Sequence, residues 1–212
     1  MKHAASPKNL RTRQLFALCY GLAAVLWLVY CLLQSAVMLS RKLGGAMPSL
    51  TLTADQLDFE SFERYDSREW WTAPDERPDW YLSTSNDPHI FWRGGGYLET
   101  VRLQADQLLP PGAVALYYLR PGQTDYTESQ KVYAHRCEGG WQFDLGGIEV
   151  TGLRIDPDSA GGIPTYLYGV TLNPAQPWVL RLLPTGGQWL LLLALPTLAA
   201  ALLRLLWPFA GP

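Results

Sequence analysis

Cysteine is scarce in this chain, and the scarcity removes two kinds of chemistry. Of three cysteines, Cys19 and Cys31 lie inside an apolar run and Cys137 stands alone in the middle of the sequence. No disulfide can close within the middle segment, and no cysteine-based metal site can form there. A lone Cys137 is expected to be buried as a small hydrophobe. Histidine is equally sparse: His3, His89 and His135 have no motif partners, so each reads as structural. The sequence also lacks G-x-S-x-G, H-E-x-x-H, a phosphate-binding glycine loop and any paired-cysteine motif. Gly94 to Gly96 is followed by neither a helix pattern nor a Lys-Ser/Thr pair and reads as a turn. Carboxylates are plentiful, and glycoside hydrolysis needs only two at the right separation, but nothing in their order marks a pair. Asp156, Asp158 and Ser159, with Gly161 and Gly162, lack the ligand register of an EF-hand, and Pro157 removes an N–H. An Asp-Pro turn is the expectation there, with a structural calcium left open. The chain therefore reads as a non-enzyme with no catalytic residues, no cofactor and no metal.

Charge is absent from two long stretches. Leu15 to Leu39 contains no charged residue in 25 positions. At 1.5 Å rise per residue, a helix of that length spans roughly 37 Å, enough for a ~30 Å hydrocarbon core with tilt. A second uncharged run covers Leu182 to Leu203, and Pro184, Gly186 and Gly187 delay its helix to about Gln188. Trp189 and Trp207 occupy interfacial positions, and Arg204 is close enough to the end to snorkel. The first run is about twice as long as a signal-peptide core and lacks a clean small-x-small cleavage site, so it reads as an uncleaved signal anchor. Within the spans, Ala17 and Gly21 form one small-x-x-x-small pair and Thr197 and Ala201 another, which permit close approach of a helix of this chain or of a partner membrane protein.

Basic residues set the expected orientation. Lys2, Lys8, Arg11, Arg13 and Arg204 flank one side of the spans, against Arg41, Lys42 and the more distant Arg181 on the other. The bias places both termini in the cytoplasm and the middle segment outside it. The expected organisation is a cytoplasmic tail over 1–13, a transmembrane helix over 14–40, an extracytoplasmic β domain over 48–181 and a second transmembrane helix over 187–208.

The middle segment holds all 19 acidic residues and 10 of the 17 basic ones, a net charge of −9 against +7 for the remainder. That balance argues against nucleic-acid or anionic-membrane binding as its purpose and fits a well-solvated surface. It reads as short strands separated by Gly, Pro and Asp turns. Leu50 to Thr53 alternates, and Leu57 to Trp71 fits both a helical and a strand period. Thr72 to Asp79 is a loop. Trp80 to Ser83, Ile90 to Trp92, Tyr97 to Gln104 and Ala113 to Leu119 follow as strands, and Lys131 to Cys137 with Trp141 to Leu145 reads as a hairpin. Ile148 and Val150 are out of phase with Leu153 and Ile155, which predicts a bulge at Gly152. Tyr166 to Leu172 is expected to pair antiparallel with Leu50 to Thr53.

Aromatics are the informative excess. Trp70, Trp71, Trp80, Trp92 and Trp141 and nine tyrosines fall in the middle segment. Sugars present flat C–H faces that such rings match. Trp71, Trp80 and Trp92 are therefore the candidate ligand-binding residues, with packing or bilayer contact as the competing role.

The run Ser83-Thr84-Ser85-Asn86-Asp87-Pro88-His89-Ile90, then Tyr97 to Leu103, Ala115-Leu116-Tyr117-Tyr118 and Leu153-Arg154-Ile155-Asp156-Pro157, resembles a known module. It is similar to the carbohydrate-binding-module-like jelly-roll domains of bacterial polytopic membrane proteins and of glycosyltransferases of surface-polysaccharide assembly. Over Leu50 to Asn173 the resemblance implies a β-sandwich and glycan contact. Without an attached glycosyltransferase domain it does not imply catalysis. The chain thus reads as mainly β, an antiparallel jelly-roll-like sandwich inserted between two transmembrane α-helices. Its expected role is a binding or assembly module of the cell envelope, or else a scaffold docking a larger transferase or transporter.

Overall fold

The structure, a computed structural model, describes residues 7–65, 80–107, 112–175, 177, 182–184 and 186–206. The chain divides into two compact units, one made of 1–39 with 176–212 and the other of 40–175.

In the first unit both uncharged runs are helical. Helix α1 is Pro7–Leu43 and α2 is Gly186–Leu206. Both are long and apolar enough to cross a membrane. Polar contacts link α1 with α2 and with the segment before it. The Tyr20 hydroxyl lies 3.1 Å from the Leu193 carbonyl and 2.7 Å from Thr197 Oγ1, and Trp27 Nε1 donates to the Leu182 carbonyl at 3.2 Å. Pro196 sits inside α2 and removes one backbone donor there. Thr197 turns its hydroxyl back onto the Leu193 carbonyl one turn earlier.

The second unit is a two-sheet antiparallel sandwich. Its strands are β1 (Leu50–Leu52), β2 (Asp58–Glu60), β3 (Phe62–Tyr65), β4 (Trp80–Ser83), β5 (His89–Trp92), β6 (Gly96–Gln107), β7 (Ala115–Leu119), β8 (Lys131–Tyr133), β9 (His135–Cys137), β10 (Gly140–Val150), β11 (Gly152–Asp156) and β12 (Pro164–Leu172). The larger sheet runs β3-β4-β12-β6-β10-β9, with β1 also on β12, and the smaller runs β2-β5-β11-β7-β8. The expected pairing of the first and last strands is present: Leu50 faces Leu172 and Leu52 faces Val170. Of the ambiguous stretch Leu57 to Trp71, the part as far as Tyr65 is two strands, β2 and β3, split between the sheets, and residues 66–71 lie outside the described residues, as does the expected loop Thr72 to Asp79. Ser61 stands between them at φ 61.

Two expectations fail for one reason. The phase change between Val150 and Leu153 is not a bulge at Gly152. Strand β10 belongs to the larger sheet and β11 to the smaller, so the chain crosses the sandwich at Thr151 and both strands turn apolar residues inward. The bulge lies earlier, between Asp144 and Ile148, where Gly146 and Gly147 take φ of 74° and 79°. Likewise, of the expected hairpin arm Lys131 to Cys137, only the β9 part pairs with β10. The other half of the expected hairpin, β8, pairs with β7 in the opposite sheet.

Alternation then separates core from surface. Phe59, Ile90, Ile155, Leu116 and Val132 occupy consecutive register positions across the smaller sheet and all pack inward. Leu98, Val101, Leu103, Phe143, Val170 and Leu172 face them from the larger sheet, each at most 1% exposed. Cys137, expected to be buried, is half-buried on the edge strand β9.

Candidate functional site

One residue along from the apolar row, the same registers bring a different set together on the outer face of the smaller sheet. Asp58 on β2, Phe91 on β5, Arg154 on β11, Tyr117 on β7 and Lys131 on β8 stand side by side across all five strands. The neighbouring row carries Glu60, His89, Asp156, Ala115 and Tyr133. Each strand contributes because its inward residues are Leu, Ile, Val or Phe at every second position, which turns the intervening polar or aromatic residue out.

These side chains form an alternating stack of rings and cations. The Arg154 guanidinium lies 4.1 Å from the centre of the Tyr117 ring and 5.7 Å from that of Tyr126. The Lys131 ammonium lies 5.1 Å from Tyr117 and 5.2 Å from Tyr133. Phe91 contacts Tyr126 at 6.0 Å between centres, and Arg93 lies 5.8 Å from Phe91. Such cation–ring contacts are each worth about 0.5–1 kcal/mol at exposed sites and more where water is excluded. Tyr126 reaches the face from the loop after β7, and Gly152 makes the room: a Cβ there would sit 3.2 Å from the Tyr126 hydroxyl.

Hydrogen bonds fix the polar edge. Tyr117 donates to Glu128 Oε1 at 2.6 Å, and Lys131 Nζ donates to Glu128 Oε2 at 3.3 Å. Burial pushes the Tyr117 hydroxyl up, with the bond to Glu128 adding to it. The same bond, then the Lys131 ammonium, holds the Glu128 carboxyl below the usual carboxylate range. The bond with Tyr117 raises Lys131 further, so the site keeps a fixed cation beside a fixed anion at neutral pH. Burial likewise raises Tyr126, opposed by Arg93 and Arg154. Tyr133 is 64% exposed and Phe91 and Tyr126 partly so, whereas Tyr117 is buried at 4%. The face therefore offers exposed rings bordered by charged donors and acceptors.

At one end of the second row, His89 Nδ1 donates to Asp156 Oδ1 at 2.9 Å, and Arg154 Nη2 donates to Asp156 Oδ2 at 2.9 Å. On the other side of the ring, His89 Nε2 faces Asp87 Oδ2 at 3.3 Å. His89 is buried, at 8% exposure.

The candidate tryptophans do not gather on this face. Trp71 lies outside the described residues. Trp80 on β4 is 7% exposed and meets Tyr166 on the larger sheet, 5.7 Å between ring centres. Trp92 on β5 of the smaller sheet is half-buried, packs against the core and covers Gly94. Among the small residues of the helices, Ala17, Gly21 and Ala201 are exposed and Thr197 holds Tyr20. An apolar cavity of about 580 Å³ opens between the helices, lined by Leu22, Leu26, Tyr30, Leu192, Leu195 and Pro196 among others.

Sequence reasoning missed Phe91, Tyr117, Tyr126, Lys131 and Arg154. Their signal was present as the outward phase of alternating strands such as Leu153-Arg154-Ile155-Asp156, but only sheet order shows that they are neighbours.

No family model matches the chain, and no curated protein matches it. Among solved structures it is similar to CBM86, a low-affinity xylan-binding module of the xylanolytic gut symbiont Roseburia intestinalis. That match has 18% identity and a TM-score of 0.36, and covers 59% of this chain and 95% of that one. It is also similar to SpGH29, at 14% identity and a TM-score of 0.34, over 62% of this chain and 28% of that one. Likeness at that level assigns neither ligand nor activity to this chain.

Proposed function

We propose that this chain is a membrane-tethered binding module that presents the outer face of its smaller sheet to a glycan. In this reading both termini lie in the cytoplasm, the sandwich lies outside it, and the module serves cell-envelope polysaccharide handling. The observation that carries the reading is the register of ring and charge across the face: Phe91, Tyr126 and Tyr133 supply flat apolar surfaces, and Arg154, Lys131 and Glu128 supply hydrogen-bonding groups between them. A pyranose ring has the same alternation of C–H faces and hydroxyl edges. Catalysis is not part of the reading.

The test uses the full-length chain in detergent against an array of envelope glycans. Binding is expected, and Tyr133→Ala should weaken it about fivefold, equivalent to ~1 kcal/mol for one stacked ring, with no change in melting temperature. Trp80→Ala and Trp92→Ala, run alongside, weigh the tryptophans as a sugar platform. A ring used for packing costs about 3–5 kcal/mol of stability when removed, whereas one used for binding costs affinity at constant stability. An array without a hit, with Tyr133→Ala indistinguishable from the parent, removes the glycan reading and leaves a scaffold that acts through its helices.

A further inference from the structure

Asp87, His89 and Asp156 place their ligand-capable atoms within 4.8 Å of one another. Asp156 is committed on both oxygens, one to His89 Nδ1 and one to Arg154. Because a carboxylate only accepts, Nδ1 carries a proton, which leaves Nε2 as the ring nitrogen open to a metal ion. On the far side of the ring, Nε2 lies 3.3 Å from a second carboxylate oxygen, Asp87 Oδ2. That 3.3 Å separation is the quantity a shared metal ion would set. It matches the distance between two ligands of a tetrahedral zinc, about 3.3–3.5 Å for metal–ligand bonds of ~2.0–2.2 Å.

We propose that His89 Nε2 and Asp87 Oδ2 form the protein half of a surface site for a divalent first-row metal ion, zinc by geometry and donor set. Asp156 orients His89 from behind, the carboxylate–histidine–metal arrangement common to such sites. Arg154 neutralises the far oxygen of Asp156 on the side of the ring away from the metal. The His89 ring is held by the sheet, its side chain 11% exposed, while the Asp87 side chain is 79% exposed at a turn. Ser85 Oγ accepts the Asp87 N–H at 3.1 Å and fixes that turn. Two protein ligands leave two positions open to water or to oxygens of a bound molecule, so the site holds metal more weakly than a closed four-ligand site and is accessible from the ring-and-cation face.

The inference does not depend on the glycan reading, and its test uses metal alone. The untagged full-length chain in detergent is titrated with zinc by calorimetry and with cobalt by visible absorption. One equivalent of zinc and a tetrahedral cobalt spectrum are expected. Asp87→Asn, a change at an exposed turn, should weaken binding at least tenfold without lowering the melting temperature. Asp156→Asn should weaken it about ten- to a hundredfold through the orientation of His89. His135→Gln removes the other described histidine, whose Nδ1 lies 3.8 Å from Asp144, and should change nothing. No binding at millimolar zinc, or binding unaffected by Asp87→Asn, overturns the site.

Discussion

At the scale of single residues, Asn173 carries more than its neighbours. It sits at φ 47, in the left-handed region that Asn tolerates better than most residues. Its Oδ1 accepts from the Glu99 N–H at 2.7 Å, and its Nδ2 donates to the carbonyls of Pro48 at 2.6 Å and Tyr97 at 3.0 Å. One side chain thereby ties the entry to β1, the start of β6 and the end of β12. At 7% exposure, its loss leaves buried groups without partners. Asn173→Ala should cost about 2–4 kcal/mol, read from a thermal or denaturant melt of the full-length chain. Ser49→Ala, which removes one bond at an exposed position, should cost about 0.5–1 kcal/mol. The bonding of Asn173 was not legible in sequence, since its partners lie 73 to 125 positions away. Arg154 and Lys131 were hidden for the same reason: a charged residue on a strand reads as solvated until the sheet places rings on either side of it.

Elements are set by where the chain turns and crosses. The Glu138-Gly139-Gly140 turn between β9 and β10 was visible as a turn, but its two glycines have different duties. Gly139 takes φ 75 with nothing near its missing Cβ, while Gly140 takes φ 151 and a Cβ there would overlap the Leu103 carbonyl oxygen on β6. Gly139→Ala should cost about 1–2 kcal/mol, the strain of a left-handed residue. Gly140→Ala must push β10 off β6 or break the register of Gly140 with Gln104, and should lower stability by several times as much. Urea denaturation of the two variants side by side checks this, and equal midpoints would refute the register as described. The crossover at Thr151 belongs to the same scale. An alternating pattern reports which residues point inward, not which sheet they belong to, so a change of sheet and a bulge leave the same phase shift in the sequence.

For the whole molecule, orientation in a membrane is the property to test. The charge bias of the flanks predicts that position 8 is inside and position 125 outside. With the native cysteines replaced by serine, single cysteines at Lys8 and Asp125 are treated in intact cells with a membrane-impermeant thiol reagent. Labelling at 125 and not at 8 is expected. The reverse pattern inverts the topology and withdraws the extracytoplasmic role. Asp125 suits the test because it lies in an exposed loop.

Composition and spacing alone determined the coarse plan: two helices, because charge is missing over lengths that helices need, and a β domain, because apolar residues recur at every second position between turns. They also led to the pairing of the first and last strands, since an apolar run leaving each end of the β domain calls Leu50 to Thr53 and part of Tyr166 to Leu172 to the same place, as the jelly-roll resemblance also implies. Tertiary structure alone decided which outward-facing residues became neighbours. Phe91, Tyr117, Lys131 and Arg154 come from four strands, and His89 and Asp156 are separated by 67 positions. Adjacency across a sheet depends on strand order and register, and those follow from the packing of two layers against each other, which no local pattern encodes.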